Sequence, residues 1–409
     1  MDTVSARLDF MHTKMTPGVV VVFLAMLLGI QPIATDLYLP ALPALKDSLQ
    51  ATHAQTQLTF TGLLLAFGAS QLVWGPLSDR FGRRPILLLG STLFCMASVG
   101  AALVTSMEQL ILWRCLQGAA MGAAVMCARA LIRDLYAPEQ GARVLSKGLT
   151  GLGVFAVGAG PLGGWLAGHF GWQGAMWTLA VFSAILLGLL LFGFKETVVT
   201  KNRAALQPIP MLHNWAKIMR HPVFLSYSLL NVASYGALFT FLASGSFVFQ
   251  KVHGLSIAGY SLIMVVSSAT FIGATFWCRH LLHHIGLQRT VRMGGLLALA
   301  GGLVITGLAL AGVTHWAGFM VGHLLFMVSH GLNQPCSQAG CISPFAKVAG
   351  TASAVSGFMM MAAVFVMGLW LGTHMDGTVF PLVAGMGFWT LCVAGVALGL
   401  VPKWGTVGR

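Results

Sequence analysis

Charge is what this sequence has least of. Charged residues make up 8% of its 409 positions and hydrophobic residues 57%, where a soluble domain carries roughly a quarter charged. Only ten residues are acidic. A chain this poor in charge cannot clothe a soluble surface, which excludes an ordinary cytosolic domain. Cysteine is sparse too: Cys95, Cys115, Cys127, Cys278, Cys336, Cys341 and Cys392 lie in or near apolar stretches with no Cys-x-x-Cys spacing. That argues against a disulfide framework or a metal module and leaves packing as their role. There is no Gly-Lys-Ser/Thr phosphate loop and no recognisable nucleophile motif, so ATP-driven and enzymatic readings lack a carrier. No cofactor or metal is expected. The one His-x-x-x-His spacing, His280 and His284, has no carboxylate nearby in sequence and reads as a basic, solvated cluster.

What the chain does have is long apolar runs. A helix needs about twenty residues to cross the hydrocarbon, and twelve stretches qualify: 17–42, 55–77, 85–104, 110–131, 144–170, 174–194, 224–249, 258–278, 291–311, 316–337, 352–371 and 380–400. Lipid requires each to be helical, because no other open structure satisfies its backbone there. The first run follows sixteen polar, mixed-charge residues and shows no small-residue cleavage site. It is expected to be a retained span and not a signal peptide.

Lys and Arg outnumber Asp and Glu by 23 to 10. On a soluble domain that excess would suggest nucleic acid. Here the basic residues fall in short gaps between apolar runs, where they set topology and face anionic lipid, so no nucleic-acid partner is expected. With the N-terminus inside, 20 of the 23 lie in inside loops, tails and inner helix ends; Lys46, Lys251 and Arg114 are the exceptions. Cytoplasmic loops retain Lys and Arg, so both termini are expected in the cytoplasm. The longest polar gap, 195–221, divides the chain into a bundle over 1–194 and a second over 222–409. The halves echo each other weakly: His283-His284-Ile285-Gly286 follows span 8 as Asp79-Arg80-Phe81-Gly82 follows span 2. The expected fold is all-α, with twelve transmembrane helices in two six-helix bundles and a ligand site at their interface.

Asp36 is the one acid inside an expected span. A carboxylate in hydrocarbon costs several kcal/mol, so it normally faces a cavity and does something. Arg114 is the matching intramembrane cation, and helix rise puts both ~9 Å below the outer boundary, where they could pair or share water. A carboxyl's hold on a proton depends on burial and on nearby charge. A change of access between two facing states would let Asp36 load a proton outside and release it inside. In the second half no acid lies in any span; His323 and His330 in span 10 are seven apart and share a face, with Asn333 following. They are candidates for a second proton site or for satisfied, neutral cavity residues. Asn231 and Tyr235 lie one turn apart in span 7 as possible ligand contacts, with Tyr38 and Gln117 in the first half.

Between spans 2 and 3 stands Gly75-Pro-Leu77-Ser-Asp79-Arg80-Phe-Gly82-Arg83-Arg84-Pro85, a short reversal dense in charge and glycine. Span 4 holds Arg114-x-x-Gln117-Gly118, and span 5 holds Gly160-Pro161-x-Gly163-Gly164, where small residues allow close helix approach and Pro161 bends the helix. Together these motifs resemble the major facilitator superfamily, and within it the 12-helix drug:proton antiporters of the Bcr/CflA branch. Branch-like features are Asp36-Leu-Tyr38-Leu-Pro40, Arg133-Asp134-Leu-Tyr136, Lys195-Glu196-Thr197 and Ala349-Gly350-Thr351-Ala352-Ser353. One departure is Ala156, where a glycine often precedes Gly160.

The resemblance implies roles. Gly75, Asp79, Arg80, Gly82, Arg83 and Arg84 would form a cytoplasmic latch, Asp36 and Arg114 the proton-coupling pair, and Gly160, Pro161, Gly163 and Gly164 the antiporter motif. It implies a bacterial inner-membrane exporter of small amphipathic, neutral or monocationic compounds, driven by protons and expected to act as a monomer in lipid. A physiological exporter of an amino acid or nucleoside is the alternative.

Overall fold

The computed structural model describes residues 15–136, 138–198, 207–313 and 315–405. Among them secondary structure is helical throughout, without a strand. The first half runs α1 Pro17–Asp36, α2 His53–Phe81, α3 Arg83–Ala102 and α4 Met107–Leu135. A continuous run, Pro138–Gly193, then divides at Gly171 (φ 68°, ψ −173°) into α5 and α6. The second half begins with α7 Pro222–Phe247, and Ile257–Leu310 divides at Gly286 (φ 76°, ψ 174°) into α8 and α9. α10 Trp316–Ile342, α11 Ala349–His374 and α12 Phe380–Gly395 complete it, the last extended by a π turn to Trp404. Among the described residues, nine helical stretches are long and apolar enough to cross a membrane. The two glycine breaks, together with α10 with its polar stripe, raise that to the twelve rods the hydropathy predicts.

Local chemistry fixes the ends. Thr52 and Gln55 form a reciprocal capping box on α2, and Ser106 and Ser256 accept from backbone N–H groups in the first turns of α4 and α8. α1 stops at Asp36, short of the expected residue 42. Pro40 has no N–H to return to the Asp36 carbonyl, and Pro43 has none for Leu39. The chain continues as a single 3-10 turn, Leu39–Ala41, and a short helix, Leu42–Ser48, which keep residues 37–43 buried. The expected reversal over 75–85 also contracts. Asp79 and Arg80 belong to the last turn of α2, and only Gly82 (φ 109°, ψ 162°) leaves helical geometry before Arg83 opens α3. An L side chain rarely adopts that φ.

The rods have two ends, which the connections distinguish. The basic end carries the joins at Gly82, Tyr136 and Gly286, and the opposite end carries the joins at 37–52, 103–106, 248–256 and 375–379. The halves meet along two seams, α2 against α11 and α5 against α8. Linker residues 199–206 lie outside the described residues, as does residue 137. A short amphipathic helix, Pro208–Met219, precedes α7.

Candidate transport site

A cavity opens between the halves, running from the middle of the spans toward the basic end. It holds about 570 Å³, open solvent at its mouth included. Gln31 of α1, Phe67 and Gln71 of α2 and Arg129 of α4 line one side. Asn231 and Tyr235 of α7, Gln334 and Gln338 of α10, and Ser353, Ser356 and Met360 of α11 line the other. Helical spacing explains the two second-half pairs: 231 and 235, like 334 and 338, are one turn apart and share a face. The lining is mostly amide and hydroxyl, and Arg129 is its one charged side chain among the described residues.

Toward the opposite end the halves are held together. Gln57 Nε2 donates to the Ala243 carbonyl (2.9 Å), and the Phe60 and Phe239 rings stack 5.3 Å apart. His53 meets Phe247 edge-on at 5.0 Å, and Gln250 Nε2 donates to the Pro40 carbonyl (3.3 Å). Lys251 pairs with Asp47 at 2.7 Å. Burial and the nearby His315 hold His253, in the adjoining turn, below the usual histidine range. Among the described residues, Lys251–Asp47 is the ion pair of this seal.

Arg114 is fully buried, and its guanidinium ties four elements together. Nη2 donates to the Ala34 carbonyl of α1 (2.9 Å), Nε to the Thr59 carbonyl of α2 (3.4 Å) and Nη1 to Gln117 Oε1 (2.9 Å). Gln117 passes the chain on to Ser98 of α3 (2.9 Å). Tyr38, itself bonded to Thr59 (2.7 Å), places its ring 4.6 Å from the guanidinium. α1 and α4 thus meet at the expected level. The expected Asp36–Arg114 contact, however, is not an ion pair. Height along a helix says nothing about azimuth. At about 100° per residue, Ala34 and Tyr38 share the face toward Arg114 while Asp36 lies some 200° round from Ala34. Asp36 is half-buried, accepts from Thr35 Oγ1 (2.8 Å), and lies within electrostatic reach of Tyr235 and Tyr260 in the second half.

The basic-end motif is a network centred on Arg83, only 3% exposed. Arg83 pairs with Asp79 (2.7 Å) and Asp134 (2.9 Å) and donates to Ser78 Oγ (2.5 Å), while Arg133 approaches Asp79 at 3.5 Å. Glu196 accepts from the backbone N–H groups of Arg83 (2.9 Å) and Arg84 (3.2 Å), capping α3. Its carboxylate fills the space a Cβ on Gly82 would need. Arg84 donates to the Leu191 carbonyl (3.1 Å), whereas Arg80 lies over the Phe81 ring and joins no described ion pair. Gly75 packs on Met126.

In α5, Gly163 sits against the Leu37 carbonyl so closely that any Cβ would overlap it. Gly164 lies against Ser261 and Gly160 against Met264 of α8 (3.1 Å to a built Cβ). Pro161 is tolerated inside the helix between them. The motif therefore packs against Leu37, the residue next to Asp36, and along the α5–α8 seam.

Residues 24–369 match the Major Facilitator Superfamily. The chain belongs to that superfamily. It is similar to a bicyclomycin resistance protein homolog of Haemophilus influenzae, 24% identical over 378 residues that cover 92% of this chain and 94% of that one. It is also similar to a chloramphenicol resistance protein of Pseudomonas aeruginosa, 30% identical over 332 residues (78% and 75% of the two chains). Multidrug resistance protein MdtL of Escherichia coli is 28% identical over 370 residues, 88% of each. Among solved structures, the xylose transporter XylE of E. coli in a partially occluded inward open conformation superposes with a TM-score of 0.74 at 12% identity, covering 97% of this chain and 100% of that one. The protein is a multi-pass membrane transporter of this superfamily and not an enzyme.

Against the major facilitator frame, Asn231 and Tyr235 reach the cavity and the other expected ligand contacts do not. Tyr38 and Gln117 are consumed by Arg114. His323 is fully buried, bonds Ser267 (3.1 Å) and stacks on Phe241. His330 bonds Ser234 (2.8 Å) beside Phe271. Asn333 turns toward α9, where Gly294 leaves it room, and donates to Ser329 (3.2 Å). The face shared by 323 and 330 therefore packs between α7 and α8. Reasoning from sequence missed Arg129, Gln71 and the Gln334/Gln338 pair. The four-residue spacing of the two glutamines was a usable signal, while Arg129 was hidden among the basic helix ends.

Proposed function

We propose that this transporter is a proton-coupled secondary active exporter that moves small, amphipathic, drug-like molecules out of the bacterial cytoplasm. In this reading it sits in the inner membrane as a monomer, with the basic end, both termini and the 195–221 linker on the cytoplasmic side. The supporting observation is the placement of the polar cavity. It lies between the halves near the basic end, while contacts between the halves close the opposite end and Asp36 lies between. Cargo would enter from the cytoplasm in this state. Once the seal at Gln57–Ala243 and Lys251–Asp47 parts and the basic end closes, Asp36 meets outside water and takes a proton. Return to the inward state carries that proton in. One elementary charge moving across 100 mV supplies about 2.3 kcal/mol.

The drug-resistance relatives support the cargo class. No acid lines the cavity among the described residues, so of the neutral and monocationic cargo expected, its lining favours the neutral. The amide-rich walls also suit the second reading, export of a polar metabolite such as an amino acid or nucleoside. The test is expression in an efflux-deficient host with a resistance panel, followed by inside-out vesicles. Resistance together with uptake driven by an imposed pH gradient is expected. Uptake that persists when the gradient is collapsed would sink the proton-coupled reading.

A further inference from the structure

Arg129 is the feature of the cavity that the coupling scheme leaves unused. It stands on α4 six residues before the helix ends, ~9 Å in from the basic end by helix rise. Its side chain is exposed, and since it lines the cavity, what it is exposed to is the cavity space. Its described hydrogen bond runs from Nη1 to the Ser353 hydroxyl across the interface, at 2.9 Å. None of the described ion pairs includes it. The contrast with its neighbours is informative. Arg83 and Arg133, on the same end of the molecule, both have carboxylates. Arg114, deeper in, is enclosed by three acceptors and a ring. Arg129 has one neutral hydroxyl and open space.

The remaining walls near it hold no negative charge. Gln71 and Gln31 on its own side, and Gln338, Gln334 and Asn231 opposite, offer amides that can donate or accept. A guanidinium left without a counter-charge at this depth is costly unless an acceptor completes it. Its planar fork matches a carboxylate in bidentate fashion. The helix that carries Ser353 adds to the same sign, since α11 begins just below with no side-chain cap on its first N–H groups.

We propose that Arg129 is the specificity-determining cation of the cavity. It anchors a carboxylate or a comparably strong acceptor on the cargo, so the transporter selects acceptor-rich neutral and monoanionic molecules and discriminates against lipophilic cations. This deepens the export reading and rests on it. The rival role for Arg129 is a strap: its bond to Ser353 joins the halves and would make it a structural tie.

A matched pair of probes separates the possibilities. Chloramphenicol and its hemisuccinate ester share a body, and the second adds one carboxylate. Binding of each to purified protein in nanodiscs is measured for wild type, Arg129→Gln, Arg129→Lys and Ser353→Ala. The expected result is that Arg129→Gln lowers the hemisuccinate-to-chloramphenicol affinity ratio by about tenfold or more, the loss of a charge-assisted bond. Arg129→Lys retains most of the ratio, and Ser353→Ala leaves it within about twofold, because the hydroxyl only parks the guanidinium. An unchanged ratio in Arg129→Gln, with both probes still bound, overturns the anchor while leaving the export reading intact. A ratio that falls equally in Ser353→Ala overturns it in favour of the strap. If the wild type binds neither probe and confers no resistance, the export reading fails and the anchor falls with it.

Discussion

The two halves use the same backbone device and wire it differently. After α2 the chain turns at Gly82 (φ 109°), and after α8 at Gly286 (φ 76°), each the one non-helical residue between two rods. Around Gly82 stand Asp79, Arg83, Arg133, Asp134 and Glu196 in continuous contact. Around Gly286 stand histidines: His280 and His284 rings lie 4.1 Å apart, His283 is 5.0 Å from His284, and His284 Nδ1 is satisfied by its own helix. The helix interiors repeat the contrast. Arg114 is a buried cation in the first half, while His323 and His330 are buried hydrogen-bonding groups in the second. Among the described residues every ion pair draws its acid from the first half. Equivalent positions can keep one geometry while charge concentrates in one half.

The severest way to break that asymmetry is to remove its central acid. Asp36→Asn should abolish gradient-driven accumulation. A pH difference of one unit sustains about tenfold accumulation for a one-proton exchange, and the variant should fall to no accumulation at all. Arg114→Ala should uncouple as well, by dissolving the contact among α1, α2 and α4. Proteoliposomes with an imposed pH gradient supply the measurement. If Asp36→Asn still concentrates cargo, coupling lies in the second half, and His323 and His330 become the next substitutions.

Next comes the packing around Asp36. Gly163→Ala forces a methyl into the Leu37 carbonyl, a clash with backbone that should cost about 3 kcal/mol or more. Gly160→Ala meets the Met264 side chain at 3.1 Å, a contact that a shift of a few tenths of an ångström relieves, and should cost under about 1 kcal/mol. Thermal unfolding in detergent compares them, and equal destabilisation would refute the assigned packing.

Asp79→Asn should act on rate. Arg83 keeps Asp134, so the network loosens without leaving a buried charge unpaired. Transport should slow several-fold, by about 1 kcal/mol of state preference, while cargo affinity stays within error. Loss of affinity with unaltered interconversion, followed by distance measurements between labelled ends, would remove the latch role.

The smallest effect belongs to the second-half counterpart. His284→Ala removes an exposed side chain whose described hydrogen bond is to its own helix and whose ring meets those of two neighbouring histidines, and should change stability by less than about 0.5 kcal/mol with transport unaffected. A defect as large as that of Asp79→Asn would mean the second half also switches at this join.

Much of this asymmetry was legible in the sequence, and the part that was not has a physical cause. Hydropathy over twenty-residue windows locates the rods because lipid punishes any other backbone state. Helix ends are set by individual caps and prolines, which is why α1 stops at Asp36, before Pro40, while hydropathy runs on to residue 42. The level of Arg114 follows from counting residues, but its partners depend on azimuth, and a turn of 200° sends Asp36 to the other half. Asn231 and Tyr235 were readable because both polar groups fall on one face of an apolar helix. Arg129 was not, because a basic residue near an inner helix end looks alike whether it faces lipid headgroups or a cavity. Glu196 stood out only as part of a resemblance, since nothing local links it to residues 83 and 84.

That last contact has a consequence for biogenesis. The N-terminus of α3 receives its cap from a residue 113 positions further along the chain. While the chain is being made, spans 2 and 3 enter the membrane with the backbone N–H groups of Arg83 and Arg84 open. They stay so until α6 has been inserted and residue 196 has emerged. Arg83 can pair with Asp79 and Asp134 as soon as span 4 is in place, but the cap on α3 closes only when the sixth helix has arrived. A nascent chain stopped at residue 193 should therefore be more open to proteolysis at residues 82–84 than one stopped at 198.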